Sequence, residues 1–538
     1  MKSKLRVVFI NLIVCSLTYF TLITNELTNT YDGMWQGSFY RDYEWVTSIG
    51  RWFWPFIGFG RRHVSPEPFT SLFSILLYIL GACLIISIFD LWNSWVKYLV
   101  VTGCVVNTSV LACLSYRYMS PTFAFSFFSA ILPVWLIAKF KPAKVTGKAI
   151  LLSLAILSVV LSLASYQANI GCFCLLIVFV LVKINEEDKT IKELFTFVLK
   201  AIIILGIGCV IYKIIWDVVL RYSGLSAAEY RGADSLSVIE MVEHLPIRIK
   251  DSYNAWLDYA WRKDNIKHNI FQNKYSIMFK GPMVILFLLM AFSPKKGEEH
   301  EKKALINVIL RRCISVCLLL LLPVAENISF LLSYKGGDMM IQMSHPMAIE
   351  IMVLLCLLIN RYDTLKNINI YKGIGGKYKN AISSAVFGFF IVCILYGRMI
   401  AVSVDQHEML VSRNTSCALF NRVISDVETK GLLDDKQLGV VIIGRPSDNP
   451  LFYKDNLWDL SNGYSHYGEF WLGGDCCTQS YRGFLRDAGV NILLNPDHEH
   501  WHYFETKEEV QTMPAYPKEG YVEIIDDCLV IKLSDPVS

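Results

Sequence analysis

Long apolar runs alternate with short polar connections over most of the chain. Runs of about 18–22 residues match what a helix needs to cross a hydrocarbon core at about 1.5 Å per residue. On that criterion the pattern predicts about eleven spans. They fall at 6–24, 69–89, 97–116, 121–138, 149–165, 167–183, 198–216, 277–293, 313–333, 345–360 and 381–401. The first run follows a basic start, is long enough to span, and carries no small-x-small cleavage site before the next polar stretch. It therefore reads as a retained helix and not as a leader.

The connections alternate in character. One set is short and basic: Lys2, Lys4 and Arg6, then Lys97, then Lys139 to Lys148, then Lys183 to Lys200, then Lys295 to Arg312, then Arg361 to Lys379. The other carries the long loops, the aromatics and most acidic clusters. Positive charge prefers the cytoplasmic side, so the pattern predicts a cytoplasmic N-terminus and, with an odd number of spans, an outer C-terminus. Three outer segments are large enough to act: 25–68, 217–276 and the tail, 402–538. The tail shows β-like runs at 438–443, 490–494, 521–525 and 529–533, and helical pattern at 412–430 and 478–488. Its Pro, Gly and Asn punctuation predicts a small folded α/β domain. The expected architecture is mainly α: a membrane domain over 1–401 with this domain after it.

Composition agrees. The chain is 54% hydrophobic and only 18% charged, against about a quarter charged in soluble domains. Most of the 15 cysteines fall in or beside spans, where Cys acts as a small hydrophobe. Cys417, Cys476, Cys477 and Cys528 fall in the tail. They could form up to two disulfides in an oxidising compartment, with three connectivities open, or remain thiols.

The first outer loop gathers the chemistry: Tyr31-Asp32-Gly33-Met34-Trp35, Arg41-Asp42-Tyr43-Glu44-Trp45 and Gly50-Arg51-Trp52. Trp35, Phe39 and Tyr43 recur every four residues, which predicts an interfacial helix with one apolar stripe. Asp32, Asp42 and Glu44 then sit at headgroup depth beside Arg51, Arg61 and Arg62. An aromatic belt with solvated charges is the alternative. Glu326 lies about seven residues, roughly 10 Å, from the outer end of its span. Glu350 lies a little inside the next, and Lys335 and His345 fall between them or at the edge. Intramembrane acids mark functional sites or structural pairs. Lys213 and Asp217, four apart, read as a plain helical pair.

Glycosyl transfer from a polyprenyl phosphate sugar suits these groups. A carboxylate takes the acceptor's proton, cations stabilise the leaving phosphate, and aromatic faces stack on sugar rings. No P-loop or G-x-G-x-x-G occurs, and the cytoplasmic connections are too short for a nucleotide-sugar domain. Nothing points to nucleic acid.

Asp32-Gly33, the acidic–aromatic run, Gly50-Arg51-Trp52 and the turn Ser165-Tyr166-Gln167-Ala168 resemble the serotype-converting O-antigen glucosyltransferases of Gram-negative bacteria and their phages. The resemblance is clearest over about residues 1–185 and weak in the tail. It implies a GT-C type membrane fold in the bacterial inner membrane. It also implies transfer of glucose from undecaprenyl phosphate glucose to O-antigen repeats at the periplasmic face. The family often has paired acids where this chain has Asp32-Gly33, so Asp32 is the first choice of base and Asp42 or Glu44 the alternative. By the resemblance Arg51 steadies the loop or the phosphate, and Tyr166 and Gln167 line the donor pocket. Trp35, Arg62, Glu326, Lys335 and His345 are further candidate substrate contacts. The Asp-x-Glu at 42–44 is similar to an acidic pair that binds a divalent cation in other GT-C enzymes; no metal is assigned here. A flippase of lipid-linked sugar, or an O-antigen polymerase or ligase, stays open as an alternative. A flippase would want midplane charges and an internal repeat, and no clear repeat is seen.

Overall fold

A computed structural model describes residues 2–29, 34, 39–187, 190–230, 238–261, 280–285, 287–288, 302–332, 340–367, 376–432, 439–468, 480–481, 483–486, 489 and 498–535. The protein is mainly helical. Among the described residues seven helices are long and apolar enough to cross a membrane: Phe69–Ile88, Ser120–Lys139, Val145–Ser165, Gln167–Glu186, Ile191–Ser223, Ile341–Ile359 and Gly388–Thr429. The pair Lys97–Val105 and Thr108–Ser115, bent by 50°, is long and apolar enough only when taken together, as one broken span or a re-entrant loop. Helices are the expected solution, because each satisfies its own backbone where water is absent.

The breaks have local causes. Asn107 is extended between the two halves of the bent pair, and its side chain accepts from the Val110 N–H at 2.9 Å. It thus caps the second half. Pro323 ends the run from Lys302 and starts the short Leu322–Glu326 helix, because proline fits only a first turn. The first helix, Lys2–Thr18, is followed directly by Phe20–Thr24. Of the expected 277–293 span, residues 280–285 and 287–288 are described, and all are helical.

The two ends of the bundle differ. At the basic end Asp90 holds two connections together through Lys139 at 2.5 Å and Lys183 at 2.8 Å. At the loop-rich end the chain after the first helix is tied in by Asn29 N–H to the Ser115 carbonyl, 3.0 Å, and by Arg117 to Glu26, 2.7 Å.

The last membrane helix belongs to a continuous 54-residue helix, Gly376–Thr429. That is about 80 Å of helix against about 30 Å of hydrocarbon, so one half must stand clear of the bilayer. The standing half carries a three-stranded sheet of β1 (Gly439–Ile443), β2 (Val522–Ile525) and β3 (Cys528–Lys532) in the order β1-β3-β2. β1 runs parallel to β3, and β2 antiparallel to it. Side chains alternate as a pleat requires. Val440, Ile442, Leu529 and Ile531 join the core that includes Phe420 and Val423 of the long helix. Val441, Ile443 and Val530 pack on Trp501 and Phe504 instead. The expected strand at 490–494 lies outside the described residues. Cys417 and Cys528 are free thiols, and Cys476 and Cys477 lie outside the described residues.

The tail is locked to the helix across residue 402. Asp405, fully buried, accepts from Asn462 N–H at 2.8 Å, Asn462 Nδ2 at 2.7 Å and Tyr464 Oη at 2.7 Å. Ser412 donates to the Ser465 carbonyl at 2.9 Å, and Thr28 N–H donates to Tyr467 Oη at 2.7 Å. Asp405→Asn leaves one of these donors facing an amide N–H. It should cost about 1–2 kcal/mol and loosen residues 455–466. Faster tryptic cleavage after Lys454 in the variant would register this; an unchanged rate would contradict it.

Candidate functional site

The first loop and the turn at 165–169 meet at the loop-rich end. Buried loop carbonyls need donors, and three side chains supply them. Gln167 Nε2 donates to the Ile49 carbonyl at 2.9 Å, Tyr212 Oη to the Gly50 carbonyl at 3.0 Å, and Trp216 Nε1 to the Thr47 carbonyl at 2.8 Å. From the loop, Phe53 N–H reaches the Ala164 carbonyl at 3.2 Å and Trp54 Nε1 the Ser165 carbonyl at 2.5 Å. Gly50 has φ +89°, and a Cβ there would collide with Tyr212 Oη, so only glycine fits. Arg51 then lies over Tyr166 at 5.0 Å and Trp54 at 5.4 Å, with Nε 3.5 Å from Gln167 Oε1. The two segments singled out in the sequence, Gly50-Arg51-Trp52 and Ser165-Tyr166-Gln167, are thus one assembly.

Other parts of the loop differ from expectation. Residues Phe39 to Tyr43 are not helical: Phe39 bridges to Val64 and Tyr40 N–H donates to the His63 carbonyl at 3.0 Å. Pairing with 63–64 competes with the helical stripe and wins, because it buries Tyr40 and Tyr43 against Tyr118 and His63. Helix begins only at Glu44–Ser48, where Asp42 Oδ1 accepts from the Glu44 N–H at 3.3 Å. Asp42, Glu44 and Arg62 are exposed. Asp32, Trp35 and Lys335 lie outside the described residues. No group of three or more His, Cys, Asp or Glu among the described residues could hold a metal, and Asp42 with Glu44 supplies two carboxylates only.

Below the turn lies a buried ionic cluster. Lys280 Nζ meets Glu350 Oε2 at 2.6 Å, and Trp256 Nε1 donates to the same oxygen at 3.1 Å. The ammonium also sits 5.3 Å from the Trp256 ring and 5.7 Å from the Tyr259 ring. The Glu326 carboxyl adjoins Glu350, is 3% exposed, and has both oxygens without a donor among the described residues. Asn327 Oδ1 is likewise unpaired, its Nδ2 donating to the Pro323 carbonyl at 2.8 Å. Two acids face one ammonium, and three buried acceptor atoms meet no donor among the described residues. The Glu326 carbonyl presses on Gly171, just beyond the 165–169 turn, so closely that a Cβ would collide with it. Gly171→Ala should therefore displace Glu326, cost about 1–3 kcal/mol as overpacking, and reduce activity. Wild-type thermal stability and turnover in that variant would refute the contact's importance.

A third polar group serves the bent span. The break frees carbonyls, and donors from other helices cover them. Tyr19 Oη reaches the Val105 carbonyl at 2.7 Å, His345 Nε2 lies 3.3 Å from that of Cys104, and Arg398 donates to those of Gly103 and Ala348. His345 is enclosed by the Tyr78 and Phe127 rings, 5.3 and 4.4 Å away. Sequence reasoning singled out His345, Glu326 and Glu350. It passed over Lys280, Trp256, Tyr259 and Arg398. A lone lysine inside a predicted span, and a lone arginine inside another, were the available signals.

One family model, described as Glucosyl transferase GtrII, matches residues 14–359. The match includes the first loop, the 165–171 turn and the Glu326–Glu350 cluster, and stops short of the tail. No curated protein and no solved structure matches the chain.

Proposed function

The chain belongs to the GtrII glucosyl transferase family, and from that premise we propose that it moves glucose from a polyprenyl phosphate sugar to O-antigen repeat units at the periplasmic face of a bacterial inner membrane. The observation that carries this reading is the convergence on one turn. Arg51 meets Tyr166 and Gln167 of residues 165–171, and the backbone carbonyl of Glu326 presses on Gly171 of the same segment. All belong to the end of the bundle away from the basic connections, which the charge rule assigns to the periplasm.

In the proposed reaction an acceptor hydroxyl oxygen bonds to the anomeric carbon as the bond from that carbon to the phosphate oxygen breaks. The hydroxyl proton passes to Asp32, or to Asp42 or Glu44. The electron pair leaves on the lipid phosphate, which needs positive charge and no general acid. Arg51, and Arg62 or Lys335, would face that phosphate, and Trp35 and Tyr166 the sugar ring. Gln167 holds the loop in place. His345 could reach a phosphate only by giving up the Cys104 carbonyl. Glu326 would accept sugar hydroxyls. The tail, 402–538, would present the acceptor glycan. A divalent cation at Asp42 and Glu44 would need further ligands from substrate or water.

Reconstituted protein supplied with undecaprenyl phosphate glucose and O-antigen acceptor should yield glucosylated product. Folded protein that transfers from no polyprenyl phosphate hexose would exclude this reading. A reporter fused at Ser538 should report a periplasmic C-terminus.

A further inference from the structure

Four arginines lie in the first loop, and their settings differ: Arg41 is exposed. Arg51 is stacked on two rings and tied to Gln167. Arg62 is exposed, on a left-handed backbone. Arg61 is turned inward. One of its terminal nitrogens donates to the Tyr118 carbonyl, while Nε and Nη1 are buried and meet no acceptor among the described residues. Burial pulls this guanidinium below its ordinary value, opposed by the adjacent Tyr43 phenol and by no carboxylate among the described residues. The loop around it is firmly built. Tyr43 Oη donates to the Tyr40 carbonyl at 3.1 Å and lies 2.8 Å from His63 Nδ1, while His63 N–H and Arg61 N–H both bond the Gly58 carbonyl, at 2.8 and 3.2 Å. A desolvated cation with open donors and no counter-ion is costly, and such a site persists where an anion completes it.

We propose that Arg61 is the anchor for the phosphate of the lipid-linked sugar, donating to it from the guanidinium N–H groups that meet no acceptor among the described residues. This rests on the function proposed above and selects among cations that the sequence left equivalent. A guanidinium is permanently charged, weakly hydrated and rich in donors, which suits it to a phosphate oxygen in a desolvated place. The anion arrives on an apolar chain, because the residues beside the site are exposed aromatics: Phe56 and Phe59 on the Trp54–Gly60 helix, and Phe39 across the bridge. Arg61 would also stabilise the second negative charge that the phosphate gains as the sugar leaves.

The test uses the full-length protein in detergent, with polyprenyl phosphate lacking sugar as the probe. Wild type should be thermally stabilised by it, and inorganic phosphate at equal concentration should stabilise far less. Arg61→Gln should bind the lipid phosphate at least about ten-fold more weakly, yet melt no lower than wild type without ligand, because an uncompensated charge has gone. Arg61→Lys, which keeps the charge and loses the planar set of donors, should bind with intermediate strength. A merely structural arginine would give the opposite: Arg61→Gln would melt lower and bind as wild type does, and that result overturns the proposal. Equal protection by inorganic phosphate would overturn the lipid assignment. Absence of glucosyl transfer in wild type would count against the reaction and leave these binding outcomes readable.

Discussion

Lys280→Met should unfold more easily than wild type by about 3–5 kcal/mol, the loss expected when one partner of a buried ion pair is removed. Lys280 is 5% exposed and is the cation that Glu350 meets, at 2.6 Å. Methionine fills the same space and still packs on Trp256 and Tyr259, so lost volume contributes little. What remains is two adjacent carboxyls, Glu326 and Glu350, with the Trp256 indole N–H as a donor to one of them. Adding Glu350→Gln to Lys280→Met should return most of the stability, so the two changes should be strongly non-additive in a double-mutant cycle. Glu326→Gln in an otherwise wild-type chain should stabilise, since it leaves one ammonium facing one carboxylate. Thermal unfolding in detergent reads all of these. A Lys280→Met protein that melts with wild type would mean that the pair contributes nothing.

Seven of the eleven expected spans coincide with helices long and apolar enough to cross, because a long apolar run has few other uses, while the expected 313–333 span is divided among three shorter helices. Such interruptions were not legible in the sequence. A hydropathy window treats Asn107 as one polar residue among apolar ones, whereas its capping bond to Val110 divides the span. The unbroken helix through 402 was equally hidden. Composition turns polar there, yet Asp405, Gln406 and Ser412 are polar because they bond the loops packed around them, Gln406 Nε2 reaching the Thr18 carbonyl at 2.9 Å. Of the site, the two halves of the Arg51–Gln167 assembly were each visible as motifs. Their contact spans 116 residues of sequence and depends on how the helices pack. The described part of the interfacial helix expected at Trp35 to Tyr43, residues 39–43, shows the reverse error. A four-residue aromatic repeat is a weak local signal, and the pairing of Phe39 with Val64 outweighs it.

Asp32→Asn should lower turnover by about 10²–10⁴-fold while leaving stability and donor affinity near wild type, the signature of a lost general base. The amide keeps the shape of the carboxylate and cannot accept the acceptor hydroxyl's proton. Leaving-group assistance and sugar contacts come from other residues, so Michaelis constants should change little. Glu326 separates the two roles that a carboxylate can play at this end of the bundle. Glu326→Gln keeps one acceptor oxygen but replaces the other with a donor. If Glu326 holds sugar hydroxyls, the donor's Michaelis constant should rise more than turnover falls. If instead Glu326→Gln shows the turnover loss and Asp32→Asn is unimpaired, the base lies in the buried cluster beside Lys280. Asp42→Asn and Glu44→Gln complete the comparison. Both residues are exposed, and among the described residues Asp42 accepts only the Glu44 N–H, at 3.3 Å, so each change should cost at most about 1 kcal/mol of stability. Steady-state rates against donor concentration for the four variants distinguish these outcomes. A large turnover loss in one of the last two alone would move the base to the exposed pair.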